Sequence, residues 1–172
     1  MTRIVLPADG LVLLIGIAAS GKSTFARRHF SPTEVLSSDE LRAWITDDPH
    51  AQAATDDAFD LLHRLLAMRL RRGRLTAVDA TNVEAWARAE LLAVARRHRR
   101  PAVAIVLDLP LEIALERNAD RPPPRPPDRA VRRQHQWLHE ALATMEDEGF
   151  AAVHRLISPE AIEDANVIRA RG

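Results

Sequence analysis

The run LVLLI at positions 11–15 is apolar at every position and lies between Gly10 and Gly16. A strand covered on both faces has that signature, because neither face needs polar residues. Similar runs follow at 75–78 (LTAV, leading to Asp79) and at 102–109 (AVAIVLDL). Val35–Ser37 reads as a shorter strand, and AVHRLI at 152–157 as the last one. Between these runs the apolar period lengthens. Ala58, Leu61, Leu62, Leu65 and Met68 recur at helical spacing, which predicts a helix from Asp56 to Arg72 that stops at Gly73. Further helices are predicted from Lys22 to His29 and from Val83 to His98, with Trp86, Leu91 and Val94 facing inward. Another opens at Pro110, a residue accepted in a first helical turn, and a long one runs from Arg129 to Glu148, closed by Gly149.

Strands alternating with helices indicate parallel βαβ units with helices on both faces of the sheet. The expected fold class is therefore α/β, a three-layer α/β/α arrangement around a mainly parallel sheet. RPPPRPPD at 121–128 interrupts the pattern and must be a loop. No linker divides the chain, so residues 1–172 are expected to form one domain. At 47% hydrophobic and 28% charged residues, the composition is that of an ordinary globular protein.

Net charge is zero, which argues against a broad, charge-driven nucleic-acid binder but leaves room for a local basic groove. The absence of cysteine excludes disulfides, thiolate zinc sites and cysteine nucleophiles. No apolar run approaches the roughly 20 residues of a membrane span, and no secretory pattern leads the chain. A cytoplasmic protein without membrane association is the expectation. Of 24 Lys+Arg residues one alone, Lys22, is lysine, in a chain whose Arg- and Ala-heavy usage suits a GC-rich genome.

That lysine sits in GIAASGKST (16–24), where Gly16, Gly21, Lys22 and Ser23 satisfy G-x-x-x-x-G-K-[ST] between a buried strand and a helix. Such a loop turns its backbone N–H groups, here those of Ala19, Ser20, Gly21, Lys22, Ser23 and Thr24, toward phosphate oxygens. The helix N-terminus adds partial positive charge. Lys22 reaches the β- and γ-phosphates as a compact point charge, and the Ser23 hydroxyl suits Mg²⁺. ATP or another nucleoside triphosphate with Mg²⁺ is the expected cofactor pair. Alanine at 18 and 19 stands where related loops often carry glycine, which is tolerable at negative φ and costly at positive φ.

Three further blocks bear on the phosphate acceptor. In SSDELR (37–42), Asp39 and Arg42 are three apart at a helix start and share a face. Asp39 can take the proton of an attacking hydroxyl, and Arg42 can bind an acceptor phosphate or neutralise transition-state charge. Asp39 can equally act as a helix cap with Arg42 on the surface. VDATN (78–82) ends a core strand, where ligands sit in open α/β sheets. Asp79 can hold the metal through water or orient Lys22. Thr81 and Asn82 can face the acceptor, or Asn82 can cap the next helix. ERNADR (116–121) places Arg117 and Arg121 four apart at the edge of the proline-rich loop, a pattern suited to a mobile lid at about 117–130 closing on triphosphate.

The ordered blocks LIGIAASGKSTFARRHF, TEVLSSDELR, AFDLLHRLLAMRLRRGRLTAVDATN and LERNADR resemble the 5′-hydroxyl polynucleotide kinase family. The nearest likeness is the N-terminal kinase module of bacterial RNA end-healing-and-sealing proteins. The resemblance covers nearly the whole chain and implies a P-loop kinase fold that transfers the γ-phosphate of an NTP to the 5′-OH of RNA or DNA. It implies phosphate binding by Gly21, Lys22 and Ser23, Asp39 as general base, Arg42 on an acceptor phosphate, and Arg117 and Arg121 in the lid. Phosphatase and ligase modules of a larger repair protein are implied partners. The alanines of the loop and the prolines of the lid depart from the family pattern, leaving Arg125 and Arg129 without clear counterparts.

With 4% aromatic residues, extensive base stacking is not expected, and recognition should lean on phosphates. The arginine runs at 69–74 and 96–100 read as helix ends. Two other readings share the loop: a small-molecule kinase acting on a sugar, sugar nucleotide or nucleoside, and a nucleotide-dependent switch without phosphotransfer.

Overall fold

The computed structural model describes residues 2–170; the ends of the expected 1–172 domain lie outside that range. Five strands form a wholly parallel sheet in the order β3(Val35–Ser37), β4(Thr76–Asp79), β2(Leu11–Ile15), β5(Ala102–Leu107), β6(Ala152–Leu156). β2 lies at the centre, and its register pairs Leu14 with Asp79 on one side and with Ile105 on the other. Its five residues are all inaccessible to solvent but serve two different cores. Leu11, Leu13 and Ile15 join a core built with α3(Thr55–Arg71), α4(Ala85–Arg97) and α6(Asp128–Leu142). Val12 and Leu14 join a second core with Phe25 and Ala26 of α1(Lys22–His29). The uninterrupted apolar run is thus the mark of a middle layer. The expected three-layer α/β class holds.

The second core is closed by a feature absent from the sequence reading. β1(Arg3–Leu6) pairs in parallel with β7(Asn166–Arg169), so 152–157 does not contain the last strand. Ile4 and Leu6 of this small sheet are fully buried against the α1 side. Before β7 lies α7(Pro159–Glu163), whose first turn is capped by Ser158 Oγ accepting from Ala161 N–H at 3.1 Å.

Most helices start and stop near the predicted places, but several faces differ. In α3 the buried row is Ala58, Leu62, Leu66 and Leu70, spaced by four. Leu61 and Leu65 are half-buried, and Met68 is exposed. In α4 the inward residues are Arg88, Leu91, Leu92 and Ala95. Trp86, expected inside, is 63% exposed, because it sits in the first turn, beyond the edge of the core. The helix predicted to reach Glu148 ends at Leu142 and gives way to a 3-10 turn over Met145–Glu148. There Met145 is buried and Glu148 pairs with Arg88, so the tighter turn satisfies both. Gly149, at φ 104°, closes the segment as expected.

The arginine runs lie at the C-terminal ends of α3 and α4, at the end of the sheet opposite the glycine loop. Several of these arginines tie loops together. Arg69 Nη2 donates to the Leu75 carbonyl at 2.9 Å, and Arg100 Nε to that of Leu70 at 3.0 Å. Among the described residues, no helix is long and apolar enough to cross a membrane.

Candidate functional site

The chain leaves the C-terminal end of β2 at Gly16 and enters α1 at Lys22, as the glycine-loop motif requires. A Cβ at Gly16 would lie 2.6 Å from Ser20 Oγ and 2.9 Å from the Leu107 carbonyl, so only glycine fits where the loop crosses β5. Gly21 sits at φ 97° as the N-cap of α1. Between them Ala19 takes φ 62°, the left-handed region where a Cβ is strained. The loop therefore keeps its turn without the expected glycine, at a conformational cost carried by Ala19.

Lys22 is folded over this turn. Its Nζ donates to the Gly16 carbonyl at 2.9 Å, the Ile17 carbonyl at 2.8 Å and Ser20 Oγ at 3.5 Å. Burial lowers its pKa to about 8; Asp79 and Asp39 oppose the drop, and Arg121 adds to it. The fold thus gathers residues from four separate motifs into one electrostatic neighbourhood.

On the β4 side, Ser23 Oγ donates to Asp79 Oδ2 at 2.7 Å. A hydroxyl and a carboxylate are hard oxygen donors, and one or two such protein ligands are what Mg²⁺ ordinarily takes when phosphates complete its shell. The donor set fits that ion. The Thr81 carbonyl accepts from Gly16 N–H at 3.0 Å and pins the β4 loop to the glycine loop. Asn82 does not open toward an acceptor as expected. It is 3% exposed, and its Nδ2 donates to the Leu14 carbonyl at 2.8 Å. Nor does it cap α4, whose N-cap is Glu84. Behind this loop Arg88, fully buried, donates to the Asn82 and Val83 carbonyls at 3.0 and 2.8 Å and pairs with Glu148 at 2.6 Å.

Beyond β3, α2(Ser38–Thr46) carries Asp39 and Arg42. Its cap is Ser37, whose Oγ accepts from Glu40 N–H at 3.4 Å, so Asp39 is free of the capping role. Arg42 is buried and donates to Asp39 Oδ1 at 2.7 Å, while the Asp39 side chain is largely exposed.

Arg117 stands in the last turn of α5(Leu111–Ala119), its guanidinium near Gly21. With Thr24, Phe25 and Arg28 of α1 and Pro159, Ile162 and Glu163 of α7, it borders a cavity of about 340 Å³ that opens onto Ser20 and Gly21. Arg121 lies past the helix end, close enough to Lys22 to depress its pKa. The exposed loop after it is clamped at its base by Asn118 Nδ2 donating to the Pro126 carbonyl at 2.8 Å. Sequence reasoning missed the α7 wall of this cavity, although Ser158–Pro159 is a legible helix start. It also missed Gln134 of α6, whose Oε1 accepts from Ala18 N–H at 2.8 Å. No local pattern announces that contact.

A glycine loop joining the central strand of a five-stranded parallel sheet to a helix, with a caged lysine, defines a nucleotide-binding protein of the P-loop kinase fold. The sequence model of the family described as AAA domain matches residues 11–144, and the chain belongs to that family. No curated protein matches the chain. Among solved structures it is similar to a chain of the Pnkp1/Rnl/Hen1 RNA repair complex, with TM-score 0.69 and 20% identity over 81% of this chain. It spans about half of that chain, 47%. It is also similar to a gluconokinase from Sinorhizobium meliloti 1021, with TM-score 0.58, 14% identity, and 92% and 88% of the two chains covered. A third likeness is Kti12 of Chaetomium thermophilum in complex with ADP-AlF3, with TM-score 0.55, 18% identity, and 89% and 93% covered. At these identities the likenesses show a shared fold.

Proposed function

We propose that this chain is an NTP-dependent polynucleotide 5′-kinase that moves the γ-phosphate of ATP or another NTP to the 5′-OH end of RNA or DNA. In this reading residues 1–172 form one kinase domain, working in cytoplasmic nucleic-acid repair. The observation that carries it is the Asp39–Arg42 pair of α2, in which a buried guanidinium donates to an exposed carboxylate at 2.7 Å. Asp39 is an exposed carboxylate not spent on capping. Arg42 is a buried guanidinium beside it, suited to a phosphate on the nucleotide that bears the hydroxyl. The likeness to a chain of an RNA repair complex points the same way.

In the proposed reaction Asp39 accepts the proton of the 5′-OH. The 5′-oxygen bonds to the γ-phosphorus in line as the bond to the β–γ bridging oxygen breaks, releasing the nucleoside diphosphate. The loop amides of Ala19, Ser20, Gly21, Lys22, Ser23 and Thr24 hold the donor phosphates, and Lys22 swings from the Gly16 and Ile17 carbonyls onto them. Ser23 and Asp79, the latter through water, would hold Mg²⁺, which when bound neutralises charge on the β- and γ-phosphates. Arg117 and Arg121 close over the triphosphate from the lid. The nucleoside of the donor occupies the cavity between α1, Arg117 and α7. Thr81 faces the acceptor. Of the acceptor residues expected from the sequence, Asn82 supports the loop from behind.

The test offers γ-labelled ATP and GTP to 5′-OH RNA, 5′-OH DNA and a panel of sugars and nucleosides. Label on an oligonucleotide 5′ end is the expected result. Label on a sugar or nucleoside alone would favour a small-molecule kinase, a reading the gluconokinase likeness keeps in view. Nucleotide binding without any transfer would favour a switch.

A further inference from the structure

Of the chain's three tryptophans, two converge on one hollow. Trp86, in the first turn of α4, and Trp137 of α6 line a cavity of about 430 Å³ together with Val83, Glu84, Glu140 and Thr144. The Trp86 indole N–H donates to the Glu84 carboxylate, which sets the ring's orientation and leaves a face in solvent. The Arg133 guanidinium lies 5.3 Å from the centre of the Trp137 ring, one helical turn earlier on α6.

The position of this hollow matters as much as its lining. Val83 and Trp86 follow directly on the loop that carries Asp79 and Thr81. Trp137 is three residues beyond Gln134, so both share a face of α6, and Gln134 touches the glycine loop at Ala18. The hollow shares no residue with the cavity on the α1 and α7 side. It adjoins the loop of Asp79 and Thr81 and the α6 face that reaches the glycine loop, rather than the α1–α7 cavity.

Arginine outnumbers acid on the segment leading into α6, where Asp120 and Asp128 are the acidic residues between Arg117 and Arg133. Arg117, Arg121, Arg125, Arg129, Arg132 and Arg133 follow one another through the lid and the first half of α6. None is in an ion pair among the described residues. From Arg129 to His139, α6 contains no acidic residue. A row of uncompensated guanidinium groups ending at an aromatic pair matches a chain of phosphates carrying bases.

We propose that the Trp86–Trp137 hollow is a base-stacking subsite for the single-stranded acceptor, taking a nucleobase downstream of the reacting 5′ end while Arg133 and its neighbours hold the intervening phosphates. The proposal rests on the polynucleotide kinase reading. It departs from the expectation, drawn from the 4% aromatic content, that extensive base stacking is absent. Few aromatics are present, but two of the three tryptophans face one hollow, enough for one stacked base. Glu84 and Glu140 in the lining suit the amino groups of bases and disfavour a second phosphate there.

The test measures phosphoryl transfer to a nucleoside 3′-phosphate and to 5′-OH single strands of graded length, for wild type, W86A, W86F and R133A. Trp86 is mostly exposed, so its truncation removes little packing, and melting curves check that the variants fold. Wild type should prefer long acceptors. In W86A kcat/KM on long strands should fall about tenfold, as loss of one stacked base predicts, with a much smaller change on the nucleoside 3′-phosphate. W86F should recover most of the loss, and R133A should flatten the salt dependence. If W86A keeps the wild-type ratio of long to short acceptors, the subsite is wrong and the kinase reading stands. If wild type phosphorylates no oligonucleotide, the kinase reading fails and the subsite with it.

Discussion

Arg42 donates to Oδ1 of Asp39 at 2.7 Å from a buried position, while the aspartate itself remains open to solvent. The pair is held rigidly on one side and left accessible on the other, as a base that must meet a substrate hydroxyl requires. Replacing Asp39 by Asn keeps the size and one oxygen acceptor but cannot take the proton. D39N should lower kcat by about 10²–10⁴-fold, with little change in KM for ATP. Single-turnover transfer to a 5′-OH oligonucleotide measures it, and full transfer by D39N would remove Asp39 from the base role. R42A should act mainly through KM, and only for acceptors with a 3′-adjacent phosphate.

The glycine loop carries its own prediction. Ala19 sits at φ 62°, where a side chain costs about 1 kcal/mol or somewhat more. A19G removes that strain and should raise the melting temperature by roughly 2–4 °C in a chain of this size. A19V, with a branched Cβ at the same φ, should lower it by more than that. Differential scanning calorimetry of both variants checks the sign. An A19G variant no more stable than wild type would show that the loop relaxes around Ala19.

How far the sequence reaches can be judged from such positions. The motif Gly16–Ser23 was legible because loop, strand and helix are contiguous and each has a strong local pattern. The central strands were legible for the same reason: β2 and β5 are apolar throughout and buried in the middle layer. The pairing of β1 with β7 was not, because two four-residue strands some 160 residues apart carry no local signal of each other. The outward turn of Trp86 and the inward turn of Arg88 were missed together. Apolar periodicity assigns the face of a helix by hydrophobicity, and here a buried arginine holds two loop carbonyls while a tryptophan is left outside. Asn82 was read as facing the acceptor or capping the next helix, whereas its amide locks the loop to β2.

Arg88 is fully buried, and Glu148 holds it through two hydrogen bonds of 2.8 and 2.6 Å. Removing only the acid leaves a buried guanidinium without a counter-charge. E148A should therefore destabilise the protein by about 3–5 kcal/mol, seen as a lower urea midpoint. The paired replacement R88M/E148L should cost much less stability, because neither charge is left stranded. It should still impair transfer, since the Asn82 and Val83 carbonyls lose their donor and the loop bearing Asp79 and Thr81 loosens. A double variant with native stability and unimpaired transfer would limit the pair to a structural role.

The two lid arginines differ in position and should differ in effect. Arg117 borders the cavity beside Gly21, where the donor nucleoside is proposed to lie, whereas the charge of Arg121 is felt at Lys22, at the phosphate end. A group that touches the donor equally in the ground and transition states changes KM, while one that meets charge only as it moves changes kcat. R117A should thus raise KM for ATP with a modest loss of kcat. R121A should lower kcat by one or more orders of magnitude, as loss of a charge-stabilising donor does. Replacement by lysine separates charge from shape: R121K should recover part of kcat, because a point charge near the phosphates suffices. R117K should recover little, because an ammonium does not reproduce a planar guanidinium at the wall of the nucleoside cavity beside Gly21. Initial rates over a range of ATP concentrations, at saturating oligonucleotide, resolve the two parameters. Equal effects of R117A and R121A on both would mean that the lid arginines act as one unit.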